Sequence, residues 1–134
     1  MLKGSCLCGG VHYEAEGPLV AMARCHCSQC RKASGAEFAT NGSVKAETFR
    51  VTAGEELLGQ YEWRPGAARV FCRRCGSPLF KRDANNPAQV RLRLGCLDTE
   101  ISERPLLHVF VGEKPAWSEI TDDLRQFEKA PTKP

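Results

Sequence analysis

Short stretches of alternating apolar and polar residues run through most of this chain, and they predict a protein built mainly from β-strands. Every second residue is apolar over residues 11–15, 49–52 and 90–96. A period of two places the apolar side chains on one face of an extended strand. Residues 19–23, 57–63 and 106–111 are further apolar or mixed runs, and Gly or Pro residues separate many of the predicted strands.

Helical signals are few. Residues 28–33 predict one helical turn, and residues 122–128 predict a short C-terminal helix because Leu124 and Phe127 lie three positions apart. Many short strands separated by turns are typical of an all-β sandwich or an open barrel. A sheet protein of this size has a limited core, so a bound metal would help to hold it together.

Composition limits the class of protein further. A chain of 134 residues is expected to form a single domain over residues 1–134, with a frayed end from about residue 129. The net charge of +3 is small and scattered, so no nucleic-acid partner is predicted. The apolar runs are too short to span a membrane, and the N-terminus lacks the apolar stretch of a signal peptide. The expected location is therefore the cytoplasm.

The eight cysteines add candidate chemistry to this picture. Thiols stay reduced in the cytoplasm, so clustered cysteines there predict metal ligands rather than disulfides. They form a CxC pair, a CxCxxC triplet, a CxxCG pair and one single residue, which are Cys6 and Cys8, then Cys25, Cys27 and Cys30, then Cys72 and Cys75, and Cys96.

The CxC and CxxCG pairs together predict a closed structural zinc site. Two residues between Cys72 and Cys75 allow both sulfurs to bind one ion, and the following Gly76 permits a positive φ. Cys6 and Cys8 supply the two further thiolates that a tetrahedral site needs. Four thiolates leave a charge of about −2 on the site, and nearby cations are placed in the sequence to offset it, namely Lys3, Arg73 and Arg74.

The triplet of Cys25, Cys27 and Cys30 offers three ligands from one short segment, which is typical of a catalytic zinc with an open position. Such a centre is a weak Lewis acid, but it suits a further soft sulfur ligand. A substrate thiol bound there would be held as the thiolate, because metal coordination lowers its pKa.

The residues alone are compatible with two other interpretations of the triplet. Cys96 could complete a second closed four-cysteine site, although the 90–96 pattern favours a buried core thiol for it. An iron–sulfur cluster is a further alternative for a CxCxxC segment.

The histidines carry weaker signals. His26 lies inside the triplet, where a supporting role beside the metal and an exposed position are equally compatible with the sequence. His12 is expected on the surface, and His108 in the core or in a cleft because its neighbours are apolar. Arg31 and Lys32 follow the triplet directly and could attract a carboxylate-bearing ligand.

The ordered motifs resemble the glutathione-dependent formaldehyde-activating enzyme family, whose domain is shared with centromere protein V. The resemblance rests on Gly4–Gly10 (GSCLCGG), on Cys25–Arg31 (CHCSQCR) and on Cys72–Gly76 (CRRCG), with further similarity at PLLHVF and KPAW near the C-terminus. It runs from about residue 4 to about residue 127.

This resemblance implies a small all-β fold of stacked antiparallel sheets, similar to the Mss4-like fold and stapled by zinc. It implies a structural zinc at Cys6, Cys8, Cys72 and Cys75 and a catalytic zinc at Cys25, Cys27 and Cys30, with Cys96 in neither set. It also implies condensation of formaldehyde with glutathione to S-hydroxymethylglutathione, formally a carbon–sulfur lyase reaction. The three-thiolate site should be the more labile, so we expect partial occupancy of the second zinc.

Two functional hypotheses follow. In the first, the protein is a zinc-dependent carbon–sulfur lyase-type enzyme whose partner is a small thiol, with glutathione as the thiol that the resemblance implies. In the second, it is a non-catalytic thiol carrier or a zinc-stapled binding module, because thiols add to formaldehyde readily without help. The sequence carries no signal for the oligomeric state.

Overall fold

The computed structural model describes residues 1–131, and strands dominate them. The strands, in chain order, are β1 (Leu2–Ser5), β2 (His12–Ala15), β3 (Val20–Cys25), β4 (Ala39–Lys45), β5 (Arg50–Ala53), β6 (Leu58–Arg64), β7 (Ala67–Cys72), β8 (Pro78–Asp83), β9 (Gln89–Arg93), β10 (Leu107–Val109) and β11 (Arg125–Gln126). The helix α1 spans Ser28–Ser34, and single 3-10 turns lie at Ala46–Thr48, Glu55–Leu57, Leu94–Cys96 and Val111–Glu113. The mostly β prediction is therefore confirmed, as is the helical turn after the triplet.

The chain forms two compact units. The first unit contains residues 1–20 and 42–102, and the second contains residues 21–41 and those from 103 onward. The prediction of a single domain over residues 1–134 stays a prediction. Within its predicted frayed end, the Lys129 carbonyl accepts a hydrogen bond from the Phe110 N–H at 3.0 Å, and residues 132–134 lie outside the described part of the chain.

The first unit holds two sheets. Strands β1, β2 and β5 form a three-stranded antiparallel sheet, and β6, β7, β8 and β9 form a second antiparallel series in that order. Tyr13 and Phe49 pack with Phe80 of the second series, with ring centroids 5.5 Å apart for Tyr13–Phe49 and 4.7 Å for Phe49–Phe80. These rings join the two sheets face to face, which confirms the predicted stacking of antiparallel sheets.

The alternation predicted for residues 11–15 places its apolar residues in this core. Val11, Tyr13 and Ala15 are at most 1% exposed, while His12 between them is exposed. The run at residues 90–96 behaves differently, because β9 ends at Arg93 and the chain turns at Leu94–Cys96. The Leu97 N–H bonds the Leu94 carbonyl at 3.1 Å and closes that turn, so Cys96 does not continue the strand.

The second unit is arranged around parallel pairs. Strand β10 runs parallel to β3, with Leu107 opposite Ala23, and also parallel to β11. Its small core consists of Ala23, Cys25, Cys30, Ala39 and Val109, against which Cys27, Leu107, Phe110 and Phe127 pack. Two of the three triplet cysteines are therefore core residues of this unit.

The predicted C-terminal helix over residues 122–128 is wrong. The segment contains no helix and forms the short strand β11 at Arg125–Gln126, and its backbone groups bond to neighbouring segments of the second unit. The Phe127 N–H donates to the His108 carbonyl at 3.0 Å, and the Val111 N–H donates to the Phe127 carbonyl at 3.0 Å. Tertiary pairing outweighs the weak helical periodicity of so short a segment. No helix within residues 1–131 has the length and apolar character needed to cross a membrane.

Candidate metal centres

The first unit brings the CxC and CxxCG pairs together. The sulfur atoms of Cys6, Cys8, Cys72 and Cys75 all lie within 4.8 Å of one another. Cys6 directly follows β1, and Cys72 ends β7. The cluster therefore joins the start of the chain to a hairpin more than sixty residues later.

Local geometry supports this arrangement of sulfurs. Gly76 adopts φ +80° and its N–H bonds the Cys72 carbonyl at 2.8 Å, so the chain turns tightly after the CxxC pair. The Val11 N–H donates to the Cys6 sulfur at 3.2 Å, and the Arg74 Nε donates to the Cys8 sulfur at 3.2 Å. Such donors stabilise negative charge on sulfur.

Two of these thiols have lowered pKa values, which favours the thiolate that a metal needs. The Ser77 hydroxyl, followed by the backbone N–H groups of Ser77 and Cys8, lowers the pKa of Cys75 to about 5. The Gly10 N–H and then the Arg74 side chain lower the pKa of Cys8. Of the cations expected to offset the cluster, Arg74 does so directly, whereas Arg73 donates to the Glu56 carbonyl.

The second unit assembles the triplet at the junction of β3 and α1. Cys25 is the last residue of β3, Cys27 is the N-cap of α1 and Cys30 lies in its first turn. The three sulfurs lie within 4.8 Å of one another. The Cys27 sulfur accepts a hydrogen bond from the Cys30 N–H at 3.3 Å, so the same atom that belongs to the cluster also caps the helix.

Crowding three sulfurs in a partly apolar place disfavours their simultaneous ionisation. The neighbouring thiols of Cys27 and Cys30, together with burial, raise the pKa of Cys25. Cys25 and Cys30 are buried and Cys27 is half-buried, so solvent reaches the cluster from the Cys27 side. A divalent cation would offset two of the three negative charges and so favour the thiolates, and the donor set of both clusters fits zinc.

Cys96 belongs to neither cluster among residues 1–131. It lies in the first unit, where it is half-buried and its thiol donates to the Pro78 carbonyl at 3.2 Å. Burial raises the pKa of this thiol, which keeps it neutral. That the triplet keeps one position open for a further ligand stays a prediction.

A chain of buried polar groups lies beside the triplet, and sequence patterns did not predict it. His26 is 0% exposed, and its Nε2 lies 2.8 Å from the Nδ1 of His108, which is 2% exposed. The His108 Nε2 lies 3.0 Å from both carboxylate oxygens of Asp122. Phe38 packs against both imidazole rings, with centroids 5.2 Å from His26 and 6.5 Å from His108.

Hydrogen-bond roles in this chain follow from the carboxylate at its end. Although burial acts to raise it, the Leu124 N–H and the His108 ring hold the pKa of Asp122 below its usual value. A carboxylate only accepts, so the His108 Nε2 carries a proton, and with both rings neutral the His26 Nε2–H donates to the His108 Nδ1. The His26 ring thus bonds to His108 and is not a member of the sulfur cluster. This bond anchors the triplet segment to β10.

Other contacts of the triplet segment are also within the second unit. The Ser28 N–H donates to the Glu113 carboxylate at 3.0 Å. The Arg31 Nε donates to the His26 carbonyl at 3.4 Å, so Arg31 is partly engaged by the segment itself. Lys32 is exposed in the last turn of α1.

Each of the two units is rich in strands and carries one cluster of cysteine sulfurs. The protein is therefore of the class of small β-proteins that can bind metal through cysteine. The family model described as glutathione-dependent formaldehyde-activating enzyme matches residues 1–113. A Halomonas elongata protein named "putative glutathione-dependent formaldehyde-activating enzyme" is 36% identical over 129 residues, which cover 90% of this chain and 81% of that protein. The chain belongs to the glutathione-dependent formaldehyde-activating enzyme family, as its motifs predicted.

Two further similarities extend this result. A crystal structure of a Rhodobacter sphaeroides protein is similar with a TM-score of 0.63 and 30% identity, covering 77% of this chain and 97% of that one. A Schizosaccharomyces pombe protein named as an uncharacterized lyase is 28% identical over 78 residues, or 58% of this chain. The chain spans about half the length of such fungal relatives, 55% in this case.

Proposed function

We propose that this protein is a zinc-dependent enzyme that forms and breaks the carbon–sulfur bond between a small thiol and an aldehyde. Its substrates in this proposal are glutathione and formaldehyde, and its product is S-hydroxymethylglutathione. Membership of the family and the names of relatives support the substrate pair. The geometry of the triplet supports the type of chemistry.

The two sulfur clusters have different roles in this proposal. Cys6, Cys8, Cys72 and Cys75 would hold a structural zinc with all four tetrahedral positions filled by protein. Cys25, Cys27 and Cys30 would hold the catalytic zinc and leave one position for the substrate. Zinc bound by three thiolates supplies a soft acceptor for the substrate sulfur and lowers the pKa of that thiol.

Residues around the triplet would orient the substrate. Glutathione carries two carboxylates, and Arg31 and Lys32 in the last turn of α1 provide positive charge next to the cluster. The half-buried side of Cys27 is the accessible side of the cluster, so the substrate thiol would approach there. The Asp122–His108–His26 chain fixes the triplet segment, which keeps the cluster in place while substrate and product exchange.

The reaction itself balances without a redox partner. The thiol sulfur adds its electron pair to the carbonyl carbon of formaldehyde, the carbon–oxygen π bond breaks, and the oxygen takes up the proton that the thiol released. The reverse reaction breaks the carbon–sulfur bond and regenerates thiol and aldehyde. Both directions need only that the sulfur be held as a thiolate near the aldehyde.

One observation carries the proposal: three cysteine sulfurs from one short segment cluster within 4.8 Å, and this group has three members among residues 1–131. Such a three-ligand centre is typical of catalytic rather than structural zinc. The eight cysteines are all free thiols, which suits a reducing compartment such as the cytoplasm.

The test is the rate of exchange between glutathione, formaldehyde and S-hydroxymethylglutathione at equilibrium, measured by NMR exchange spectroscopy with and without zinc-loaded protein. We expect the wild-type protein to accelerate exchange above the spontaneous rate and Cys27→Ser to lose that acceleration while remaining folded. A wild-type protein that binds glutathione but leaves the exchange rate unchanged would be a thiol carrier, and the enzymatic proposal would be wrong.

A further inference from the structure

A row of positively charged side chains crosses the second sheet series of the first unit. Arg69 of β7 lies directly opposite Lys81 of β8, and Lys81 lies directly opposite Arg91 of β9. Tyr61 of β6 is opposite Arg69 and extends the row at one end. The three cations therefore occupy adjacent positions on one face of three neighbouring strands, about 4.8 Å apart from strand to strand.

The opposite face of the same strands has an ordinary structural role. Val70, Phe80 and Leu92 form the next row, and all three are buried. Since side chains alternate between faces, Arg69, Lys81 and Arg91 project from the other face of these strands. Core packing does not account for this row, because the row lies on the face away from the core. Like charges placed directly opposite one another also destabilise a sheet.

An aromatic ring and a cavity accompany the cations. The Trp63 ring lies 5.2 Å from the Arg69 guanidinium, 5.7 Å from the Lys81 ammonium and 5.8 Å from the Arg64 guanidinium. A cavity of about 150 Å³ opens beside it, lined by Ser43, Trp63, Lys81, Arg82, Asp83, Asn86, Gln89 and Arg91. Of these three cations only Lys81 lines the cavity, and its contact with the ring restricts the ammonium beside it.

The charge balance of the cavity favours an anion. Its lining includes Lys81 and Arg91 of the row, and the carboxylate of Asp83 forms an ion pair with Arg64. The guanidinium of Arg82, which also lines the cavity, lies over the Phe49 and Phe80 rings and is not counted toward the charge of this face. The Arg91 Nη1 donates to the Ser43 hydroxyl at 2.9 Å, which positions the guanidinium at one edge of the cavity. The hydroxyl and the amide groups of Asn86 and Gln89 add hydrogen-bonding capacity without adding negative charge.

We propose that this cavity binds a small phosphate-bearing molecule, in a site formed by Lys81 and Arg91, with Ser43 beside them and Trp63 at the rim. A phosphate group carries close to two negative charges and presents several oxygens, which matches a guanidinium and an ammonium converging from neighbouring strands. The cavity volume suits one such group with a small substituent. None of these residues belongs to either sulfur cluster, so the proposal does not depend on the proposed function.

The test uses zinc-loaded protein in a Trp117→Phe background, where Trp63 is the only indole. Inorganic phosphate and glycerol phosphate are titrated at constant ionic strength while Trp63 fluorescence is followed. We expect saturable binding that Lys81→Gln and Arg91→Gln each weaken about tenfold or more, since each removes a charge-assisted hydrogen bond. Lys45→Gln is the matched control, because it removes one charge from an exposed position of β4 outside this cavity.

Three results would overturn the proposal. The first is an absence of saturation by either phosphate compound, and the second is equal weakening by Lys45→Gln and Lys81→Gln. The third is that another anion binds more tightly than either phosphate compound does. The two anions to be compared are a twelve-nucleotide single-stranded DNA, bound through its full length, and the dicarboxylate malonate. Zinc content and circular dichroism of each variant confirm that the sheet and the metal centres are unchanged.

Discussion

The two sulfur clusters of this protein are similar in chemistry and different in how the chain builds them. In the first unit, Cys6 and Cys8 join Cys72 and Cys75 across more than sixty residues of sequence. In the second unit, Cys25, Cys27 and Cys30 come from six consecutive positions at the end of one strand and the start of one helix. The first cluster closes a long loop, and the second closes none.

This difference separates a structural role from a chemical one. A metal that joins distant segments restricts the unfolded chain and contributes its binding free energy to folding. A metal held by one short segment restricts little, and the segment must be fixed by other contacts. In the second unit those contacts are the Cys27 cap and the buried His26–His108–Asp122 chain. A ligand set of three also leaves a position that the protein does not fill.

The largest expected effect is therefore from Cys75→Ser in the first unit. The loss of one thiolate opens the structural centre, and we expect the free energy of unfolding to fall by more than about 4 kcal/mol, or the chain to fail to fold. Urea unfolding together with elemental analysis of zinc measures both consequences. Retention of wild-type stability by Cys75→Ser would show that the four-sulfur cluster is not a structural staple.

The second largest effect is expected at the buried histidine chain. His108→Ala removes the partner of His26 and of Asp122 and leaves a small cavity, so we expect a loss of about 2–4 kcal/mol. His12→Ala is the matched control, because His12 is exposed, and its cost should stay below about 1 kcal/mol. Equal costs measured by urea unfolding would show that the buried chain does not anchor the second unit.

The sequence predicts the cysteine clusters of the two units, but it does not predict the histidine chain of the second unit. Spacing of the cysteines predicts both groups, because CxC, CxCxxC and CxxCG restrict where sulfurs can meet. The histidine chain has no such signal, since His26 and His108 are 82 positions apart and a single histidine among apolar residues is compatible with many environments. Asp122 lies in a segment that the pattern predicts as helix and that parallel pairing holds extended.

Strands show the same dependence on context. The alternation at residues 11–15 corresponds to β2. The pattern is visible there because the side chains on one face of the strand are buried. Strand β4 has no clear alternation, since Asn41, Gly42, Ser43 and Val44 are all buried in succession. A strand that is buried on both faces does not alternate between apolar and polar residues. Because β4 also contains polar residues, it lacks the continuous apolar run that would have predicted a buried strand.

A pair of substitutions at Cys27 separates the cap from the ligand. Cys27→Ser removes the thiolate but keeps a good N-cap, so we expect a loss of about 1 kcal/mol or less, with one zinc ion fewer per chain. Cys27→Ala also removes the cap and should cost about 1 kcal/mol more. Zinc analysis and urea unfolding of both variants provide the measurement. A cost for Cys27→Ser as large as that of Cys75→Ser would make the triplet a structural staple too.

The smallest effect is expected at Cys96, the cysteine that belongs to neither cluster. Its thiol donates to the Pro78 carbonyl at 3.2 Å, and a serine hydroxyl can make the same bond, so Cys96→Ser should change the free energy of unfolding by less than about 1 kcal/mol. Zinc content and glutathione-dependent exchange should equal those of the wild type, because no ligand has been removed. Loss of one zinc ion in Cys96→Ser would mean that this thiol closes the triplet in the metal-bound protein. The substrate sulfur would then have no free position, and the contrast between the two clusters would disappear.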